Sequence, residues 1–193
     1  MVRMTQGASL DVGALFRLDN AVLAFRFTAT VFDRAGDATE RLTDPGRLGS
    51  WLRANGLDFS DESLTEADLF AATELREAIH RAGTAVAGGG RIVPAAVRTL
   101  NAFSRNGNAH RLFENGEATW QGASVADALS VIAADAIETL GGPDRDRVKA
   151  CSDEHCHGLY VDTSRANNRR WCSMNTCGNR AKKAAMSRLR EER

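Results

Sequence analysis

Four cysteines are the residues of this 193-residue chain whose type and spacing can do chemistry: Cys151 and Cys156, then Cys172 and Cys177. Four residues stand inside each pair and fifteen between the pairs. Paired thiols around a short insert match a tetrahedral Zn²⁺ site, where two local loops deliver two ligands each at about 2.3 Å. The four-residue spacing is wider than the commoner two-residue one, so buried free thiols and a pair of disulfides are the competing readings. Ser152, Asp153, Glu154, Asn175 and Thr176 are poor company for a buried free thiol. Against disulfides, the chain shows no secretory leader, and the 150 residues before the first cysteine can form a core without covalent staples. His155 and His157 flank Cys156, and either could replace a thiolate in a three-Cys, one-His site.

The residues around the second pair carry a resemblance. The run Arg169-Arg170-Trp171-Cys172-Ser173-Met174-Asn175-Thr176-Cys177-Gly178-Asn179-Arg180 closely resembles the CGNR zinc-finger family, and so does the lead-in Gly158 to Arg165. The match spans about forty residues; the N-terminal part matches in layout alone. This resemblance implies a bacterial stress-induced transcription regulator with a helical N-terminal domain ahead of the finger.

Charge is divided along the chain. The formal net charge is zero, but residues 144–193 hold twelve basic and seven acidic side chains, leaving the preceding part acidic. From Ser164 to Arg190 there are eight basic residues and no acidic one, a local field suited to an anionic partner. No apolar run approaches the ~20 residues of a membrane helix, so the expectation is a soluble, cytoplasmic protein in a reducing compartment.

The elements that must position the cysteines read as mainly α. Leu15, Leu18, Val22, Phe25, Ala29 and Phe32 recur at helical steps, which predicts a helix over about 10–33, although Leu23 to Val31 also alternate as a strand would. A loop follows over 33–40. Asp44-Pro45 starts a second helix that carries Leu48, Trp51 and Leu52 inward and stops near Asn55-Gly56. Thr65 with Asp68 opens a third, which fades near Ala82 ahead of the break at Gly88-Gly89-Gly90. Pro94 begins a fourth with Val97, Leu100 and Phe103 inward. Asn115-Gly116 between short apolar runs predicts a hairpin, and Ser124 with Asp127 starts a wide-faced buried helix ending at Gly141-Gly142-Pro143. Gly142 is the candidate boundary between a helical regulatory domain over 1–142, expected to fold independently, and a finger over 143–193.

In the finger, Leu159 to Asp162 reads as a strand, Asn167-Asn168 as a turn, and Arg169 to Cys172 as the returning strand. Ala181 to Leu189 are strong helix formers. Cysteine loop, hairpin and ligand-bearing helix make a small treble-clef-like zinc finger, a layout shared with GATA-type fingers. Gly178 would let the backbone pass close to the sulfurs, and Asn179 would donate to a sulfur or cap the helix. Ala181, Ala185 and Leu189 would face the hairpin, while Arg180, Lys183, Ser187 and Arg190 share the opposite face. With Arg169 and Arg170 they form a cationic ridge suited to phosphates and guanine edges. The competing readings are a solvated basic face, with Arg170 paired to Asp162, or a finger that binds protein or packs on its own N-terminal domain.

The expected function is therefore transcription regulation through a Zn²⁺-dependent, DNA-binding finger. Four thiolates would saturate the metal and leave no open position for substrate, and no Walker loop, dinucleotide fingerprint or Ser/His/Asp set appears, so an enzyme is not expected. His80 and His110 stand isolated. The resemblance also implies a small-molecule effector in the helical domain, although no residue pattern names one. A homodimer would enlarge the footprint of one short helix.

Overall fold

The computed structural model describes residues 12–59 and 63–191. Its centre is α6 (Val125–Gly141), where residues 128–133 are buried without interruption. The Asp127 carboxylate fastens the start of this helix by accepting from the backbone N–H of Asn108 at 2.6 Å and of Ala123 at 2.8 Å. The helices α4 (Glu66–Ala87) and α5 (Pro94–Arg105) pack against α6 and against each other. The α4 N-terminus carries the expected capping box: Asp68 N–H donates to the Thr65 hydroxyl and Thr65 N–H to the Asp68 carboxylate. The helix α3 (Pro45–Ala54), capped by Asp44, drives Leu48, Trp51 and Leu52 into the core, where the Trp51 and Phe27 ring centroids lie 4.9 Å apart.

The helix expected over about 10–33 is broken in the structure, and residues 10 and 11 lie outside the described part. One turn, α1 (Val12–Leu15), is separated from α2 (Leu23–Thr28), and β1 (Val31–Phe32) pairs antiparallel with β2 (Thr39–Glu40). Asn20 accepts from Val22 N–H, and Asp135 of α6 supplies the cap that α2 lacks locally by accepting from Ala24 N–H at 2.8 Å. The Thr28 and Thr30 hydroxyls donate back to the Phe25 and Phe27 carbonyls, and these β-branched residues favour leaving the helix for the strand.

Two other readings shift. The helix expected to fade near Ala82 runs on to Ala87, and Val97 is exposed while Ala96 takes the buried place on α5. The hairpin forms as expected: β3 (His110–Glu114) pairs with β4 (Glu117–Gln121) around Asn115 at φ +53° and Gly116 at φ +84°, the two left-handed residues of a type I′ turn.

The cysteine-bearing end continues the same core. Gly142 ends α6 and a single 3₁₀ turn follows, after which β5 (Val148–Ala150) pairs antiparallel with β6 (Leu159–Val161). Val148 and Leu159 are buried with the residues of α2, α4 and α6. Leu159 lies over Gly83 of α4, where a Cβ would meet its Cδ1 at 2.4 Å. The bond from Asn20 Nδ2 to the Leu159 carbonyl, at 2.8 Å, holds the strand in the same place. The boundary drawn from sequence at Gly142 therefore separates two segments whose apolar side chains are buried together.

Gly83→Ala is expected to cost about 1–3 kcal/mol through overpacking against Leu159, against the gain of less than about 1 kcal/mol that alanine brings to a helix interior. In a Leu159→Ala background the same change should become neutral or stabilising. Denaturant unfolding of the four proteins of that cycle measures the coupling; additive effects would mean that the two side chains do not meet.

Candidate metal centre and cationic helix

The four cysteines converge although they come from two segments. Cys151 and Cys156 lie on the connection between β5 and β6, and Cys172 and Cys177 precede α7 (Asn179–Glu191), with Cys177 in a π-type turn over Met174–Gly178. All four are buried, and their sulfurs lie within 4.8 Å of one another. The Cys156–Cys172 separation is 3.5 Å and the Cys172–Cys177 separation 3.8 Å, too long for disulfides. A tetrahedron with 2.3 Å zinc–sulfur bonds has edges of about 3.8 Å, so this donor set fits Zn²⁺. Among the described residues the cluster comprises the four cysteines alone, and the exposed His155 and His157 are outside it.

Backbone donors support the sulfurs. Gly158 N–H points at Cys156 Sγ and Cys172 N–H at Cys151 Sγ, each at 3.4 Å. Gly158, rather than Gly178, is the glycine pressed to the cluster: a Cβ there would stand 3.2 Å from the sulfurs of both Cys156 and Cys172. A Cβ at Gly178 would instead crowd Met174, at 3.0 Å. Asn179 donates to the Asn175 carbonyl at 3.0 Å and so fastens the start of α7. A further contact comes from the other end of the chain. Arg17 places a guanidinium nitrogen 3.5 Å from Cys172 Sγ; burial works against its charge, but the sulfur outweighs that, and its pKa is raised. Nothing near Arg17 in the sequence signals this role.

Asp162 organises the loop between the cysteine pairs. Its carboxylate accepts from Lys149 Nζ at 2.6 Å and from the N–H groups of Ser164 and Arg169 at 2.9 and 2.8 Å. Burial alone would raise its pKa; the Lys149 ammonium and these N–H donors outweigh burial and hold it below the usual carboxylate range. The partner of Asp162 is thus Lys149, not Arg170. Residues 169–172 form no strand; β6 pairs with β5, which precedes the first cysteine pair, and the Leu159 carbonyl accepts from Asn20 instead of from a returning strand.

This arrangement is a treble-clef-like finger seated on a helical domain. A family model named ABATE, described as "Putative stress-induced transcription regulator", matches residues 21–143. The chain belongs to this family. A second family model, the CGNR zinc finger, matches residues 147–190. No curated protein matches the chain.

In this ABATE chain the five cations expected on one ridge have different surroundings. The Arg169 guanidinium donates to the carbonyls of Trp171 and Cys172 and lies 4.7 Å from the centre of the Tyr160 ring. Arg180 forms a bidentate pair with Asp33 at 2.9 and 3.0 Å and also approaches Asp153 at 3.2 Å. The bond to Asp33 is the largest effect on Arg180 and raises its pKa against the cost of burial. Both side chains are spent inside the protein because each is only partly exposed and a desolvated cation needs acceptors. Arg170 stacks on Trp171 at 5.1 Å and stays exposed, as do Lys183 and Arg190, joined by Lys182 and Arg188. The apolar stripe expected to face the hairpin does not do so: Ala181 is half-buried, whereas Ala185 and Leu189 are exposed. The face of α7 turned to the finger carries Arg180, Ala181, Ala184 and Arg188, which line a cleft with Trp171 and His155.

His80, isolated in the sequence, reaches the finger. Its Nε2 lies 3.2 Å from the His157 carbonyl, which requires the proton on Nε2. Burial, with the nearby Arg34 cation, pushes its pKa down to about 4 from the ordinary 6.5. Between those values the unfolded chain takes up a proton that the folded chain refuses, so this contribution is intact above pH 6.5 and is lost as the pH falls towards 4. His80→Gln retains a donor and does not titrate. The stability of the wild type relative to His80→Gln should therefore decline over that window, as read by denaturant unfolding at a series of pH values; a constant difference would show that His80 titrates normally.

Proposed function

We propose that the protein is a cytoplasmic transcription regulator that binds DNA through α7, with Zn²⁺ held by Cys151, Cys156, Cys172 and Cys177 as a purely structural ion. When bound, the ion supplies cross-linking of the two cysteine segments. Four thiolate ligands leave it no open position, so no catalytic role is assigned. The observation that carries the reading is the exposed set of cations on a metal-pinned element: Lys182, Lys183 and Arg190 on the outer side of α7, with Arg170 in the segment leading to it. The finger packs on the helical domain through Leu159 and the Arg180–Asp33 pair, and this packing leaves those cations free. Packing and DNA binding thus use different faces, with Arg169 and Arg180 as positioning residues. In this reading the helical domain receives an effector, and the cleft between α3 and the start of α6, about 560 Å³ and lined by Ser50, Arg53, Phe59 and Ser124, is its place of entry. A homodimer would double the footprint of a helix of 13 residues.

Metal analysis of freshly purified protein should give close to one zinc per chain. Cys172→Ser should lower that content and loosen the C-terminal region in hydrogen exchange; unchanged metal in the variant would disprove the ligand set.

Binding to random-sequence duplex DNA should weaken steeply with added salt, through counterion release. Replacing Lys183 or Arg190 by Ala should weaken binding to all sequences alike and make the salt slope shallower by about one unit each. The double reversal Lys183→Glu/Arg190→Glu should reduce affinity further without lowering the melting temperature. Unchanged affinity in that variant would return the finger to a protein-binding or self-packing role.

A further inference from the structure

The face of α7 turned away from the finger is not only cationic. Met186 is 53 % exposed and Leu189 63 %, and Ala185 beside them is open as well. Helical spacing places Lys182, Met186 and Leu189 on one line, and Lys183, Met186 and Arg190 on the next, so the apolar side chains stand between basic ones. The opposite face, with Arg180, Ala181, Ala184 and Arg188, lines the cleft shared with Trp171 and His155. The outer face therefore presents Met186 and Leu189 in line with Lys182, with Lys183 and Arg190 along one side, over about 12 Å of helix. Packing within the described residues does not account for that strip.

We propose that this outer face enters the major groove of duplex DNA and that Met186 and Leu189, with Ala185, read thymine C5-methyl groups. The occupant follows from charge complementarity. The strip adjoins Lys182, Lys183 and Arg190 on a segment without acidic residues from Ser164 to Arg190, which disfavours a basic protein surface and suits phosphates. A major groove about 12 Å wide admits one α-helix, and the thymine methyl is its apolar feature. The proposal rests on the DNA-binding reading above and adds the chemistry of selectivity: contacts by Lys183 and Arg190 are indifferent to sequence, whereas contacts by Met186 and Leu189 favour A·T pairs at the positions beneath them.

The test uses the full-length, zinc-loaded protein and the duplex that it selects most tightly from a random pool. That duplex is then synthesised with uracil in place of thymine, which removes the methyl groups and leaves the hydrogen-bonding edges intact. Wild type should lose about fourfold in affinity for each methyl group it buries. The variant Met186→Ala/Leu189→Ala should bind the thymine and uracil duplexes alike, with the wild-type salt slope. Equal binding of both duplexes by wild type, with a normal salt slope, overturns this inference and leaves DNA binding standing. So does a double variant that keeps the thymine preference, including one that loses self-association by sedimentation, which would assign the strip to a second copy. Absence of any salt-sensitive binding removes both readings together.

Discussion

The convergence of four sulfurs from two distant segments is the constraint that shapes the C-terminal end of this protein. Cys151 and Cys156 sit on a connection between two strands of three residues each, and Cys172 and Cys177 on irregular chain leading into a helix. Neither segment buries enough apolar surface to hold such a geometry alone. A shared metal would replace the missing core, and the separations of 3.5 and 3.8 Å between neighbouring sulfurs have the scale that a zinc ion demands. Gly158 follows from the same constraint: its backbone lies where a side chain would strike two of the sulfurs.

Much of this was legible in the sequence, because the signals concerned were local. The cysteine spacing, the Thr65–Asp68 box, the Asn115-Gly116 turn and the Pro94 helix start each need only a few neighbouring residues, and each has its counterpart in the fold. The first stretch was not legible, since periodicity over 10–33 cannot reveal that Asp135, more than a hundred positions away, caps a much shorter helix. The returning strand failed for a similar reason. The strand partner of Leu159–Val161 precedes the first cysteine pair instead of following the turn, and local composition does not distinguish the two edges.

The cations were visible as a group, but their division was not. Arg169 and Arg180 look equivalent to Lys183 and Arg190 on a helix or strand diagram, yet the first two are committed inward. What separates them is the supply of acceptors. Arg180 meets Asp153 from the first cysteine connection and Asp33 from the helical domain, at φ +48° on the corner leaving β1. Arg169 finds backbone carbonyls beside the cluster. No acidic residue lies between Ser164 and Arg190, so Arg180 finds carboxylates only because the fold carries Asp33 and Asp153 to it.

The carboxylate that reaches Arg180 is itself held by charge. Arg76, nearly inaccessible on α4, grips both oxygens of Glu40 at 2.7 Å and donates to the Thr30 hydroxyl, thereby fixing the two ends of the β1–β2 turn. Arg34 within that turn is bidentate to Glu77, the neighbour of Arg76, at 2.8 and 3.0 Å. Burial would raise the Glu77 pKa, but the two guanidinium groups outweigh it and hold the carboxyl down at about 2. The same turn meets the finger through the bond from Ala35 N–H to the His155 carbonyl. Breaking these pairs would leave the buried Arg76 guanidinium short of acceptors, a cost that a fully exposed pair does not carry. Asp33 is thus a fixed point of the helical core rather than a loop residue free to follow Arg180. The first turn of α7 is consequently set by α4 through Arg76, the β1–β2 turn and Asp33, while the rest of that helix, beyond the cleft it forms with the finger, projects with its outer face uncovered.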